Sequence, residues 1–567
     1  MTDCDAVIVG TGPAGATCAE VLTAAGWSVV MLEKGRNHLL SLDAPFEPLG
    51  HASNDELKAQ FRHFLGPDPW LEPRTFRHSE AEGDRVFTGD VNNLPSTVGG
   101  GGIHADGKLP RFREVDFRLA SELGPVEDAD VVDWPFDYDE LEPYYAEAER
   151  VVGVAGEHGV NPFAAWRSGP YPMPPGPDMF CAVLTSEAAD RLGYHPYRAP
   201  TGVNSVEYDG RPACNNCGFC GYFPCPIDAK GDPVAPLRHA LRTGRCEIRP
   251  ESYVTDVLLD RTGRTARGVR YMDHSGHAHE VSARHVILGA GAFETPRLLL
   301  RSGIGNADVV GRFLMYHFQT FALGIFPFRL HAHRGRAVTH LMDDPIVGDD
   351  GTLAAARESG LPWMRGGIVE HGGASHPITE AIHLPPGEDH TKLMLDSPMR
   401  DRMAVFTMQG EDLPQATNRI DLDPHITDAW GLPAGRVTYT PHRHEIECSR
   451  HWAPRLEAVM RDAGAGHTFW STSPALPEHA ARHMANPSSI SRHVMGTARM
   501  GTDPGTSVCD PSQRLHDVNN VVVADSSVFP TSTGYGPTLT IVALAIRAAR
   551  GLADLPPLRS ERPARVP

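Results

Sequence analysis

The sequence has few cysteines, no long apolar run and fewer basic than acidic residues. Its 10 cysteines among 567 residues are too sparse for a disulfide scaffold, so we expect most of them to be thiols. No run of about 18 apolar residues occurs, so the sequence predicts no membrane-spanning helix. Residues 1–4 carry no basic segment. We therefore expect no signal peptide and a cytoplasmic location.

The charge balance is acidic, with 52 Lys and Arg against 71 Asp and Glu and a net charge of −19. This charge disfavours a nucleic-acid or anionic-membrane partner. It is compatible with a cationic substrate, but ordinary solubility explains it as well. The chain is too long for one hydrophobic core, so we expect two or three joined domains.

The first 33 residues have the order strand, glycine turn, helix, strand and acid. An apolar strand at 5–9 runs into Gly10-Thr-Gly12-Pro-Ala-Gly15, a helix is predicted over 16–25, and a strand over 28–32 ends on Glu33. This is the dinucleotide-binding fingerprint in its full context. The glycines permit a tight turn, close approach of a pyrophosphate and close helix packing, in that order. Glu33 is placed to accept ribose hydroxyls and disfavours a 2′-phosphate, so NADP is disfavoured while FAD and NAD both stay open.

A second glycine run, Gly99-Gly-Gly-Gly102, precedes Ile103 and His104. The entropy cost of ordering four glycines argues against a helix or an ordinary strand here. We expect this backbone to press against a flat or charged group, with a flexible linker as the alternative.

The rest of the chain alternates strand-like and helix-like patterns. We predict helices at 55–64, 134–153, 187–192, 236–243, 295–302, 450–463 and 540–549. Strands are predicted at 253–259, 268–272, 285–288 and 519–525. The pattern of 310–450 is typical of a mostly β or α+β region. The pieces 5–35, 285–302 and 519–550 are expected to join in one domain.

Four motifs in this order resemble the glucose–methanol–choline (GMC) oxidoreductases, which are FAD enzymes. They are the first glycine turn with Glu33, Gly291-Ala-Phe-Glu-Thr-Pro-Arg through Gly305, His493-Val-Met-Gly-Thr-Ala-Arg-Met-Gly501, and Val523-Ala-Asp525 followed by Gly536-Pro-Thr. The resemblance implies FAD as cofactor and oxidation of an alcohol by hydride transfer to the flavin.

The resemblance also implies an α/β fold in which a Rossmann-like FAD-binding domain is assembled from discontinuous segments around an inserted α+β substrate-binding domain. We assign 1–36, 90–135, 210–310 and 485–555 to the first domain. The second takes 37–89, 136–209 and 311–484.

Site residues carried over from the family are the base His493 and a set of cofactor-binding residues. Val254 is expected to bind the adenine through its backbone, and Asp525 to contact the flavin end of the cofactor. The cofactor-binding set is Gly10, Gly12, Pro13, Ala14, Gly15, Glu33, Lys34, Gly99, Gly100, Gly101, Gly102, His104, Val254, Ala290, Gly291, Asp525, Gly536, Pro537 and Thr538.

One position departs from the family pattern. The family has a second His or Asn just before the final Pro-Thr, where this chain has Gly536. Either His493 works alone, or another group such as Tyr535 supplies the second hydrogen bond, or the chemistry is atypical. Loss of one such donor costs roughly 10²–10³ in rate in other enzymes, so we expect a slow, specialised enzyme.

Two further hypotheses concern His104 and four cysteines. In pyranose oxidases a His in a similar glycine-rich pattern carries covalent flavin, and His104 fits that spacing in one register. Cys214, Cys217, Cys220 and Cys225 come close to a ferredoxin spacing. They could bind an iron–sulfur cluster or zinc, or stay reduced or form a local disulfide; we predict no metal.

The sequence thus predicts FAD-dependent oxidation of a hydroxyl on a sugar, glycoside, amino sugar or polyol, with oxygen or another acceptor reoxidising the flavin. The alternatives are an electron-transfer dehydrogenase subunit with a cysteine-bound cluster, and a non-redox lyase or isomerase on the same fold. The oligomeric state stays open.

Overall fold

A parallel sheet built from three distant parts of the chain lies at the centre of this computed structural model. The structure describes residues 3–37, 71–89, 91, 94–218, 220–221, 225–373, 387–396, 401–476, 491–560 and 562. The helix predicted at 55–64 lies outside the described residues. No helix in these described ranges combines the length and the apolarity needed to cross a membrane.

The strands are β1 Cys4–Val9, β2 Val29–Leu32, β3 Arg74–Arg77, β4 Phe87–Gly89, β5 Pro196–Arg198, β6 Cys246–Arg249, β7 Tyr253–Leu259, β8 Ala266–Met272, β9 Ala278–Leu288, β10 His317–Ile325, β11 Val338–Met342, β12 Val369–Gly373, β13 Met403–Glu411, β14 Arg419–Thr427, β15 Pro433–Thr438, β16 His467–Ser473 and β17 Val521–Val523.

The helices are α1 Pro13–Ala24, α2 Leu119–Leu123, α3 Tyr138–Val152, α4 Phe180–Arg191, α5 Val234–Arg242, α6 Gly291–Ser302, α7 Asp344–Val347, α8 Asp350–Glu358, α9 His390–Asp396, α10 Arg443–Asp462 and α11 Thr538–Leu552. Single 3₁₀ turns cover Glu80–Glu82, Gly100–His104, Glu114–Phe117 and Ser526–Val528.

The seven-stranded sheet has the order β6-β2-β1-β9-β8-β7, and β17 pairs with β9. Strands β6, β2, β1, β9 and β17 pair in parallel, whereas β7, β8 and the first half of β9 form an antiparallel meander. The three predicted βα pieces therefore meet in one sheet, as expected. Because parallel strands present their carboxyl ends at one edge, the turns after β1, β9 and β17 lie together.

Two further sheets complete the described structure. An antiparallel six-stranded sheet has the order β16-β10-β13-β12-β11-β5, and a four-stranded sheet has the order β14-β15-β3-β4. Helix α10 packs on β10 and β16, burying Trp452 and Leu456. The region 310–450 is thus α+β, as its pattern indicates. The division of the chain at the predicted domain boundaries stays a prediction.

Several predicted helix limits were wrong. Helix α1 begins at Pro13, because proline has no N–H to donate and suits the first helical turn. It ends before Gly26, whose φ is 91°. Helix α10 begins at Arg443, seven residues earlier than predicted, where the His442 ring accepts a hydrogen bond from the N–H of His444.

Candidate active site

The first glycine turn is shaped by contacts that only glycine permits. Gly10 has φ +93°, and a Cβ there would lie 2.5 Å from the carbonyl oxygen of Gly289. A Cβ on Gly15 would lie 2.1 Å from the oxygen of Gly10. Gly12 is different, since a Cβ on it meets nothing within 4 Å. The turn therefore leaves open space over Gly12, at the N-terminus of α1, where the helix dipole attracts an anion.

Glu33 lies at the end of β2 and is buried against this turn. Its carboxylate accepts hydrogen bonds from the N–H and hydroxyl of Thr11, at 3.0 and 2.8 Å, and from the N–H of Gly35 at 3.0 Å. Burial raises the pKa of Glu33, and these donors oppose the rise. The carboxylate is thus held in one orientation beside the glycine turn.

Lys34 and Val254 lie next to Glu33. The Lys34 ammonium pairs with Glu72 at 2.6 Å and Glu294 at 3.3 Å, so these carboxylates hold its side chain, and its cofactor contact stays a prediction. The N–H of Ser252 donates to the carbonyl of Glu33 at 2.8 Å, which brings the start of β7, and with it Val254, to this end of the site.

The second glycine run packs directly on the first, and the prediction that it forms no helix was wrong. Gly100 to His104 form a 3₁₀ turn. A Cβ on Gly100 would lie 3.1 Å from the Cα of Gly12, and one on Gly102 would lie 2.6 Å from the Pro233 ring. The entropy cost of ordering the glycines is offset because close packing here leaves no room for side chains.

Side-chain hydrogen bonds also hold the second glycine run in place. The buried Lys230 ammonium donates to the carbonyl oxygens of Ile103 at 2.6 Å and Ala105 at 2.8 Å. The Gly99 N–H donates to the Thr11 hydroxyl at 2.9 Å. His104 lies inside the turn with 7% of its surface exposed.

Asp525 follows β17 and binds the start of α6. Its carboxylate accepts from the N–H of Gly291 at 2.8 Å, the Thr295 hydroxyl at 2.6 Å and the N–H of Ser527 at 2.9 Å. Ala290 is the residue that precedes the helix. These donors hold the Asp525 carboxylate in place, and its contact with the flavin end of the cofactor stays a prediction.

A cavity extends from the start of α1 and the second glycine run to His493. Of the predicted site residues, Pro13, Gly102, His493, Gly536 and Thr538 line it. The cavity also has charged lining residues that the sequence did not single out, namely Asp106, Lys108, Lys230, Asp232 and Glu370.

The ring of His493 contacts a second histidine, His317, which the sequence analysis missed. Their Nδ1 atoms are 2.9 Å apart, and the rings are nearly perpendicular at 87°. Burial lowers the pKa of His493 well below its usual value, and His317, Lys108 and Arg492 lower it further. Burial likewise lowers the pKa of His317 to about 4. Both imidazoles are therefore neutral near pH 7.

Gly536 lies against the same ring, and a Cβ on it would be 3.8 Å from Cε1 of His493. The suggestion that Tyr535 supplies the second hydrogen bond was wrong, because the Tyr535 hydroxyl donates to Asp343 at 2.8 Å. No local motif distinguishes His317 among the 29 histidines, so its contact with His493 could not have been predicted from the sequence.

The four cysteines of the 214–225 segment are free thiols; Cys220 is buried, and Cys214, Cys217 and Cys225 are partly buried. Burial raises the pKa of Cys220 to about 12, which disfavours the thiolate that metals bind. Among the described residues, no three Cys, His, Asp or Glu side chains are arranged to hold a metal ion.

A glycine turn at the end of β1, with a second glycine run packed on it and the Glu33 carboxylate beside it, defines a dinucleotide-binding protein. Residues 3–41 match a family model described as an FAD binding domain. Residues 174–319 and 414–545 match two models described as GMC oxidoreductase. The chain belongs to the GMC oxidoreductase family.

Curated relatives match almost the whole chain. It is 30% identical to a 6'''-hydroxyparomomycin C oxidase of Streptomyces lividus, over 97% of this chain and 91% of that protein. It is 28% identical to a gluconate 2-dehydrogenase flavoprotein of Pantoea cypripedii, over 97% and 93%. The solved pyridoxine 4-oxidase from Mesorbium loti has the same fold, with a TM-score of 0.63, 18% identity, and coverage of 97% of this chain and 99% of that one.

The residues present fit FAD. Open space over Gly12, a Cβ-free approach of Gly100 to that residue, and an oriented carboxylate at Glu33 suit a pyrophosphate and a ribose. The protein is an FAD-dependent oxidoreductase that acts on CH–OH groups.

Proposed function

We propose that this enzyme oxidises a hydroxyl group of a sugar, glycoside, amino sugar or polyol to a carbonyl, with His493 as the base. The observation that supports this most is a neutral imidazole in the lining of the cavity, held by a second ring. A base must be unprotonated before the hydroxyl proton can be transferred to it. The lowered pKa of His493 meets that condition at neutral pH.

The cofactor-binding roles form part of the same proposal. FAD supplies the hydride acceptor when it is bound. Gly10, Gly12, Gly15 and Glu33 hold the ADP half, and the backbone at Val254 binds the adenine. The remaining predicted residues hold the pyrophosphate and the flavin, namely Pro13, Ala14, Lys34, Gly99, Gly100, Gly101, Gly102, His104, Ala290, Gly291, Asp525, Gly536, Pro537 and Thr538.

The polar lining of the cavity supports a polyhydroxylated substrate. Asp106 and Glu370 offer carboxylate oxygens, and Lys108 between them offers ammonium hydrogens. Several groups of this kind recognise hydroxyls, and the carboxylates also suit a substrate amine. The relative named as a 6'''-hydroxyparomomycin C oxidase makes amino sugars a natural part of the substrate panel.

The experiment is an anaerobic screen of sugars, amino sugars and polyols that follows loss of flavin absorbance. We expect at least one class to reduce the flavin. His493→Gln should then slow reduction by about 10²–10⁴, the usual contribution of a positioned base. His274→Gln, on an exposed histidine, is the matched control. Full turnover of His493→Gln would disprove the base assignment.

The alternative of an electron-transfer dehydrogenase subunit predicts iron in the purified protein. The match to the GMC oxidoreductase family argues against the non-redox lyase or isomerase. The expectations of a cytoplasmic location, of no nucleic-acid partner, and of oxygen or another acceptor stay predictions.

A further inference from the structure

We propose that His317 is a positioning residue that fixes the tautomer of His493, in place of the side chain that Gly536 lacks. The inference rests on the proposed function, because it names the ring atom of His493 that acts as base. It assigns the Nδ1–H of His493 as a donor to Nδ1 of His317, and leaves Nε2 of His493 with the free electron pair.

The assignment begins with Nε2 of His317, the ring nitrogen that does not contact His493. Nε2 of His317 lies 3.4 Å from the carbonyl oxygen of Ser532. A carbonyl oxygen can only accept, so this nitrogen carries the proton and donates. A neutral imidazole has one N–H, so Nδ1 of His317 is an acceptor. The pKa of His317, lowered by burial to about 4, keeps the ring neutral.

The contact between the two rings then fixes the second tautomer. Two nitrogens 2.9 Å apart form a hydrogen bond only if one donates and the other accepts. Since Nδ1 of His317 accepts, Nδ1 of His493 donates. The remaining nitrogen of His493, Nε2, is unprotonated and can take a proton from a substrate hydroxyl. The Ser532 carbonyl thus fixes the tautomer of His493 through the intervening ring of His317.

The position of His317 is held by its strand. His317 opens β10 opposite Glu411 of β13. The N–H of the preceding Tyr316 donates to Asp412 at 2.7 Å. His317 itself is fully buried. A ring on a paired strand, with both nitrogens engaged, has little freedom to turn, which is what a positioning residue requires.

Neighbouring positions do not supply this hydrogen bond. Gly536 has no side chain, and the Tyr535 hydroxyl is committed to Asp343. Within the part of the chain that the structure describes, His317 is the hydrogen-bond partner of the His493 ring. The second histidine therefore comes from the six-stranded sheet, 176 residues away in sequence.

The test combines tautomer detection with kinetics on the FAD-loaded enzyme. Nitrogen NMR of ¹⁵N-histidine-labelled protein, with His493 assigned by loss of its signals in His493→Gln, should show the Nδ1–H form. His317→Leu should remove that preference and lower kcat about 10- to 100-fold, the range for loss of a group that orients a histidine. KM should change less than kcat.

Two variants separate positioning from folding. His317→Asn keeps a polar atom near the position of Nδ1 and should recover part of the lost kcat and the Nδ1–H signal. His371→Asn alters an equally buried histidine, bound to the Thr185 and Ser186 hydroxyls, and should leave the His493 signal unchanged. If His317→Leu does not fold, His317→Asn and the wild-type tautomer still decide the matter.

An Nε2–H tautomer of His493 in the wild-type enzyme would overturn the assignment, as would equal kcat in His317→Leu and wild type. Neither result bears on the proposed function, which is tested by the substrate screen and by the turnover of His493→Gln.

Discussion

The Lys108 ammonium pairs with the Glu370 carboxylate in the wall of the cavity that His493 lines. Lys108 also lies 3.2 Å from Asp106, and Gln409 donates to Glu370 at 3.0 Å. The coulombic effect of these carboxylates outweighs burial and raises the pKa of Lys108, so Lys108 stays cationic. Its charge acts on His493 and helps to keep the imidazole unprotonated.

The first prediction concerns the pH dependence of turnover. A base with a lowered pKa is active above that pKa, and its activity falls as pH falls through it. The pKa of His493 lies well below 6.5, the usual value for histidine. We therefore expect kcat to be constant at pH 6.5 and above, and to fall only at lower pH, in the acid limb of the profile. Lys108→Met removes a positive charge and should move the acid limb to higher pH. Glu370→Gln is the opposing control and should not move the acid limb to higher pH. An acid limb that stays in place in Lys108→Met would show that the Lys108 charge does not lower the pKa of His493.

The second prediction separates folding from FAD binding within one turn. Gly12 has φ −64° and open space at its Cβ position, so Gly12→Ala should fold normally but lose FAD. In Gly10→Ala the added Cβ would clash with the Gly289 carbonyl, and alanine disfavours the positive φ of this position. This variant should therefore lose FAD and also have a lower Tm. Gly26→Ala, with φ +91° and no neighbour within 4 Å, should lower the Tm while keeping FAD. Thermal unfolding and the flavin-to-protein ratio check each variant.

The third prediction concerns the link between Asp525 and α6. Asp525→Asn places an amide N–H₂ against groups that all donate, including the N–H of Gly291. Buried donors left unpaired cost about 1–3 kcal/mol, so the Tm should fall. The exposed Asp554→Asn is the control. An unchanged Tm in Asp525→Asn would show that these bonds add no stability.

The fourth prediction concerns the cysteine segment. Because Cys220 is buried and burial raises the pKa of both Cys220 and Cys225, we expect iron analysis to find less than one iron per chain and thiol titration under denaturing conditions to find free thiols. Stoichiometric iron would instead favour the electron-transfer alternative.

The fifth prediction concerns His104. Its burial within a turn that Lys230 holds favours a non-covalent contact with the cofactor, so acid precipitation should release the flavin into the supernatant. A yellow pellet in the wild type that becomes colourless in His104→Ala would establish covalent attachment.

Much of this enzyme follows from local sequence. The first glycine turn, Glu33 and the strand at 285–288 have patterns with a direct physical meaning, since tight turns need glycine and buried parallel strands need apolar runs. The predicted meeting of three distant βα pieces in one sheet is confirmed, because each piece contains such an apolar strand. The 3₁₀ turn at the second glycine run was not predicted, because glycine content alone does not reveal that Pro233 and Gly12 pack against it.

The sequence by itself determined the FAD turn, its acid and the motif that contains His493. Only the tertiary structure decided which group faces that imidazole. Hydrogen bonds between rings depend on distances of a few tenths of an ångström and not on spacing along the chain. A strand of the six-stranded sheet brings His317 to the ring, and no pattern near residue 317 records where that strand is placed.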